Sequence, residues 1–141
     1  MISRADDSSS LLPMTEAQAQ HFPGTETAGR TVVRTAPLDE LVAAERRLRP
    51  ALLKIDVQGA ELDVLNGASG VLEAVDSILV ECSFVELYRG QALAGEIIDA
   101  LHRRGFHLTD LCLPVADRSG RVLQADLLFE RQDGMSRRRR A

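Results

Sequence analysis

The residues best placed for chemistry are gathered in one stretch, Leu52-Leu53-Lys54-Ile55-Asp56-Val57-Gln58-Gly59-Ala60-Glu61. An apolar run ends at Asp56, the chain turns over Gly59, and helix formers follow. Ligands of open α/β sheets collect at the carboxyl ends of such strands, where a carboxylate orients a hydroxyl or takes its proton. The competing role for Asp56 is to cap the next helix by accepting from its free N–H groups. Lys54 alternates with Asp56, so both side chains share a face. A lysine inside a buried strand needs a partner. Glu81, which closes the next apolar run, is the natural one, whether that pair is structural or binds substrate. Gln58 either donates to a ligand or fills the turn, and Glu61 sits where the helix dipole favours an acid. Ser83, Phe84 and Tyr88 follow the second run and overhang the same edge, where they line a pocket. Phe84 has a core position as its alternative, and Phe106 and Phe129 are assigned to the core.

The elements that must position these residues follow from periodicity. A buried strand spans residues 51–56, with β-branched Ile55 near its end, and a helix runs from Ala60 until it frays at Asn66-Gly67. A second short helical piece, residues 71–75, leads into the run 78–82, continuously apolar until an acid, the pattern of a parallel strand covered on both faces. Residues 93–104 form an amphipathic helix through Leu93, Ile97, Ile98 and Leu101, stopped by Gly105. Phe106-His107-Leu108 opens another strand, and a turn at Asp117-Arg118-Ser119-Gly120 precedes the last one, residues 124–130. Upstream, residues 31–35 form a short β-branched strand. Pro37 then opens a helix with Leu38, Leu41, Val42 and Leu48 on one face until Pro50. Residues 1–30 lack a period and are expected to be mostly irregular, apart from a helical turn at 14–20. The alternation predicts an α/β fold with parallel central strands. The last two strands, joined by a turn alone, pair antiparallel.

The totals set bounds. A chain of 141 residues, 45% hydrophobic, buries one core and does not divide into two. A net charge of −4 and a pI near 5.4 exclude a general nucleic-acid-binding surface. The run Arg137-Arg138-Arg139-Arg140 belongs to a disordered basic tail, residues 132–141, with a phosphate-binding patch as the weaker alternative. Cys82 and Cys112 are isolated thiols and indicate a reducing compartment. The first residues lack the apolar core of a signal peptide, and no run is long enough to cross a bilayer. The expectation is a soluble, cytoplasmic protein with no membrane partner. His21, His102 and His107 share no metal-ligand spacing with each other or with a cysteine, so no metal is expected. Neither a Gly-x-Ser-x-Gly elbow nor a phosphate-binding glycine loop is present, which leaves hydrolase and nucleotide-triphosphatase readings without support.

The central stretch, with Val64-Leu65-Asn66-Gly67-Ala68 after it, resembles the FkbM family of S-adenosylmethionine-dependent methyltransferases. Ile78-Leu79-Val80-Glu81, Ser83-Phe84, Leu87-Tyr88, Gly105-Phe106 and Gln124-Ala125-Asp126-Leu127-Leu128-Phe129 are similar to its later blocks, and residues 35–41 to the segment before its central strand. The resemblance covers roughly residues 8–131 in order, with the domain itself expected over 31–131. It implies a Rossmann-like class I methyltransferase sheet and O-methylation of a hydroxyl on a saccharide or small natural product, with S-adenosylmethionine as donor. It also implies a catalytic Asp56 and an acceptor pocket supported by Lys54, Gln58, Glu61, Glu81, Ser83 and Tyr88.

The sequence departs from that family in one respect. Nothing before Lys54 offers an apolar strand followed by closely spaced glycines, since Gly24 and Gly29 lie in a polar stretch. The chain therefore looks like the C-terminal part of the domain, with an incomplete sheet. A second hypothesis follows: a catalytically silent methyltransferase-like chain that needs a partner half to bind the donor. The uncovered edge of residues 52–56 would then favour self-association or docking of a partner chain.

Overall fold

A computed structural model of the chain describes residues 1–5, 8–42 and 51–131. Its elements run in the order β1 (Ile2–Ser3), α1 (Glu16–His21), β2 (Thr27–Gly29), α2 (Leu38–Leu41), β3 (Leu52–Ile55), α3 (Glu61–Asn66) and α4 (Ser69–Leu72). They continue with β4 (Ser77–Ser83), α5 (Ala94–Arg103), β5 (Phe106–Ala116) and β6 (Val122–Arg131). The fold is mixed α/β: a four-stranded sheet in the order β3-β4-β6-β5, and a small antiparallel pair, β1 with β2. β3 runs parallel to β4, with Leu53 opposite Ile78 and Ile55 opposite Val80. β6 inserts antiparallel between β4 and β5, setting Glu81 opposite Asp126 and Ser83 opposite Gln124.

Alternation along the strands builds the core. Ile55, Ile78, Val80, Cys82, Ala125, Leu127 and Phe129 point to one face, where Leu65 of α3, Leu72 of α4 and Ile97 and Leu101 of α5 cover them. In α5 the buried residues Ala94, Ile97, Ala100 and Leu101 recur at helical spacing, and Glu96 secures its start by accepting from the Leu93 N–H at 2.9 Å. Arg131 ties the end of β6 to the preceding helices. Its guanidinium lies 4.5 Å from the Phe106 ring centroid and donates to the carbonyls of Val75 and Leu72.

Three expectations are corrected, and one lies partly outside the described residues. Residues 31–35 lie outside any strand and Val32 is 97% exposed; a strand needs a ladder partner, and Ile2–Ser3 supplies one to Thr27–Gly29 instead. The helix opened by Pro37 is four residues long in its described part, and residues 43–50 and 132–141 lie outside the described residues. β4 is not covered on both faces: Ile78, Val80 and Cys82 are buried, whereas Ser77, Leu79 and Glu81 stay partly exposed, because the helices described here pack on one side. Lys54, for the same reason, is no buried lysine, since its side chain is 55% exposed.

The first thirty residues carry more order than their composition suggests. Thr15 caps α1 by accepting from the Gln18 N–H, and its own N–H donates to Leu87. The Arg89 N–H donates to Pro13, so this segment is laced to the loop that follows β4. Among the described residues no helix is long and apolar enough to cross a membrane.

Candidate active site

The site lies where the parallel strands β3 and β4 end. Asp56 follows the last residue of β3, and the chain then reverses through two residues of positive φ, Gln58 at 53° and Gly59 at 103°. A side chain at Gly59 would place its Cβ 2.9 Å from Tyr88 Cβ and 3.2 Å from Leu12 Cδ1, so both conformation and packing demand glycine. The Gly59 N–H donates to Glu61 Oε1 at 2.9 Å. Glu61, at the start of α3, is buried and clamps the turn.

Gln58 is the hub. Its Nε2 donates to Asp56 Oδ1 at 2.9 Å and to Glu81 Oε2 at 3.0 Å, and its Oε1 accepts from the Tyr88 hydroxyl at 2.7 Å. Its backbone carbonyl accepts from Ser10 Oγ at 2.6 Å. A non-glycine residue in the left-handed region is costly and persists where surrounding bonds over-determine it, as they do here. The left-handed backbone is what turns the amide back between the two strand ends.

The remaining predicted residues join this hub. Lys54 Nζ donates to Asp56 Oδ2 at 2.7 Å, which corrects the expected Lys54 to Glu81 pair; alternate residues on one strand meet directly on an exposed face. Glu81 is instead held by amides, since Gln124 Nε2 also donates to its Oε2 at 3.2 Å and to Ser83 Oγ at 3.3 Å. Asp56 does not cap α3; its two oxygens are taken by Lys54 and Gln58. Tyr88 is wholly buried and reaches the site through its hydroxyl alone, while Phe84 is 37% exposed and belongs to no core. Sequence reasoning missed Gln124 and Asp126 as site residues. Their alternation along the last strand was visible, but their place beside Glu81 needs the antiparallel register of β4 and β6.

The two carboxylates differ electrostatically. Partial burial pushes Asp56 up, but hydrogen bonds from Lys54 and Gln58 and the Lys54 charge outweigh it and leave the acid below its ordinary value. The Asp56 hydrogen bond in turn raises Lys54. Burial, followed by the negative charges of Asp56, Asp126 and Glu61, pushes Glu81 up to about 7, against the pull of Gln58. Cys82, facing the core, is pushed by burial to about 12 and offers no thiolate.

Beside Asp56 opens a groove of ≈ 1240 Å³, walled by Leu11, Val32, Leu38, Val57 and Val64. The turn at Gly59 is not a methyl-donor cradle of the glycine-turn kind, since Gly59 faces Tyr88 and Leu12 rather than open space, and Gly29 is part of β2.

The Methyltransferase FkbM domain profile matches residues 2–108. The match begins earlier than the expected resemblance and stops before the Gln124 to Phe129 block. The chain is 38% identical over 65 residues to the hexuronic acid methyltransferase AglP of Haloferax volcanii, an alignment covering 46% of this chain and 26% of that protein. The chain thus spans about a quarter of the length of that relative. No solved structure matches.

Proposed function

This chain belongs to the FkbM methyltransferase domain family, and we propose that it is an S-adenosylmethionine-dependent O-methyltransferase acting on a saccharide or small natural product, with the Gln58-linked acids on its acceptor side. One observation carries the reading: Gln58 binds Asp56 and Glu81 together at the carboxyl ends of two parallel strands, and Asp56 lines an open groove. Methyl transfer is a displacement at carbon, so the protein's main tasks are alignment of the acceptor and disposal of its proton. Asp56, ionised and fixed by Lys54 and Gln58, orients an acceptor hydroxyl. Tyr88, Ser83 and Gln124 hold the amides and acids in place from behind. The hexuronic acid methyltransferase relative supports a saccharide acceptor. The four strands belong, on this reading, to a Rossmann-like sheet, and two free cysteines suit the cytoplasm.

The test is transfer of isotope-labelled methyl from S-adenosylmethionine to a panel of neutral hexosides and hexuronic acid glycosides by the 141-residue chain. Label should appear on one class of acceptor and be lost in Asp56→Ala; undiminished transfer by a folded Asp56→Ala variant sinks the assignment.

A second reading is favoured by the sheet edge. Among the described residues β3 pairs with β4 alone, Leu52 is 63% exposed, and the glycine turn that follows β3 is closed by Tyr88 and Leu12 at Gly59. In this reading the chain is silent by itself and gains its donor site when a second segment covers β3. Calorimetric titration with S-adenosylmethionine separates the two. Saturable binding by the chain alone supports the first reading, and its absence in a folded chain supports the second.

A further inference from the structure

Methylating a hydroxyl replaces its proton, so some group must take that proton as the oxygen reacts. Three carboxylates stand at the site, Asp56, Glu81 and, opposite Glu81 on β6, Asp126, and hydrogen bonds distinguish the two that Gln58 joins. Asp56 is committed on both oxygens, Oδ1 to Gln58 and Oδ2 to Lys54. On Glu81 both amides converge on Oε2, from Gln58 at 3.0 Å and Gln124 at 3.2 Å. Among the described residues no hydrogen bond reaches Glu81 Oε1, and the residue is partly exposed.

We propose that Glu81 is a catalytic residue that takes the acceptor's proton on Oε1, while Gln58 and Gln124 hold Oε2 and so aim the carboxylate. The inference rests on the methyltransferase reading above and goes beyond it by separating the orienting acid, Asp56, from the base. In the step the acceptor O–H bond breaks with its electron pair left on oxygen, and a new O–H bond on Oε1 leaves Glu81 a neutral acid. The charged groups around Glu81 are Asp56 and Lys54 from the β3 end, Glu61 from α3 and Asp126 from β6, with Cys112 of β5 beside Asp126. Burial and the three acids bring Glu81 to about 7, where a base combines availability with proton affinity near neutral pH.

Two readouts test this on the full chain. The first is a pH titration of ¹³C-labelled glutamate carboxyls by NMR, with Glu81→Gln used to assign the resonance. A Glu81 carboxyl titrating near neutrality supports the proposal, and one titrating in the ordinary carboxylate range overturns it whatever the activity. The second is the pH profile of kcat/KM for labelled methyl transfer onto the hexoside panel. The wild type should rise with pH to a plateau with a break near neutrality. Glu81→Gln should lower kcat by about a hundredfold or more and lose that break, and Glu81→Asp should keep part of the rate. A folded Glu81→Gln variant with wild-type kcat or an unchanged break overturns the proposal and leaves the function reading intact. No transfer by the wild type to any acceptor removes the function reading, and this proposal with it.

Discussion

Glu81→Gln should stabilise the protein above neutral pH and do so progressively less as the pH falls. In the unfolded chain Glu81 titrates at its ordinary 4.5, and in the fold at about 7. Below the lower value it is protonated in both states and contributes nothing. Between the two values the unfolded chain releases a proton that the folded chain keeps, so stability falls as pH rises and levels off above the higher one. Two and a half pH units at 1.36 kcal/mol each set a ceiling of about 3.4 kcal/mol. Glu81 is partly exposed, and solvent screening reduces this to about 1–2 kcal/mol. Glutamine keeps an acceptor oxygen for Gln58 and Gln124. Urea unfolding of both proteins at about pH 8.5 and about pH 4.5 reads the effect. The variant should be more stable by about 1–2 kcal/mol at the higher pH, with the difference closing at the lower. A difference independent of pH, or a variant less stable at alkaline pH, would refute the reasoning. A stabilising substitution that slows turnover is the trade expected where a site stores unfavourable charge.

Other substitutions probe the scaffold. Gly59→Ala places a Cβ 2.9 Å from Tyr88 Cβ at a φ of +103° and should cost at least about 2 kcal/mol in urea unfolding. Tyr88→Phe leaves the Gln58 Oε1 without its donor; a loss of about 1–2 kcal/mol is expected by thermal melting. Asp39→Ala removes the carboxylate that accepts from the Gly70 and Val71 N–H groups at 3.0 and 2.8 Å. It should cost about 1 kcal/mol and raise amide exchange at those two residues.

Local features of the fold were legible where a single element decided them. The glycine turn after Asp56, the α5 stripe of Ile97 and Leu101, and the antiparallel pairing of the last two strands all follow from neighbours in sequence. Long-range register was not. Nothing local shows that β6 inserts between β4 and β5, and that insertion is what sets Gln124 and Asp126 beside Glu81. The Lys54 partner was misassigned because the run around it reads as buried, whereas β3 is an edge strand among the described residues and its lysine turns along the exposed face to Asp56. Residues 31–35 carry β-branched residues but lack a strand to pair with, so propensity gave way to topology. The composition of Gln58 hinted at a polar turn and nothing more. Its role as a bridge depends on a left-handed backbone and on Tyr88, thirty residues away.

The central claim is that the Gln58-linked acids at the strand ends serve methyl transfer. Mass spectrometry of hexoside and hexuronic acid glycoside acceptors after incubation with S-adenosylmethionine tests it most directly, comparing the wild-type chain with Asp56→Ala. The wild type should yield a singly methylated acceptor and the variant none above background, with both proteins folded. Equal methylation by the two would contradict it.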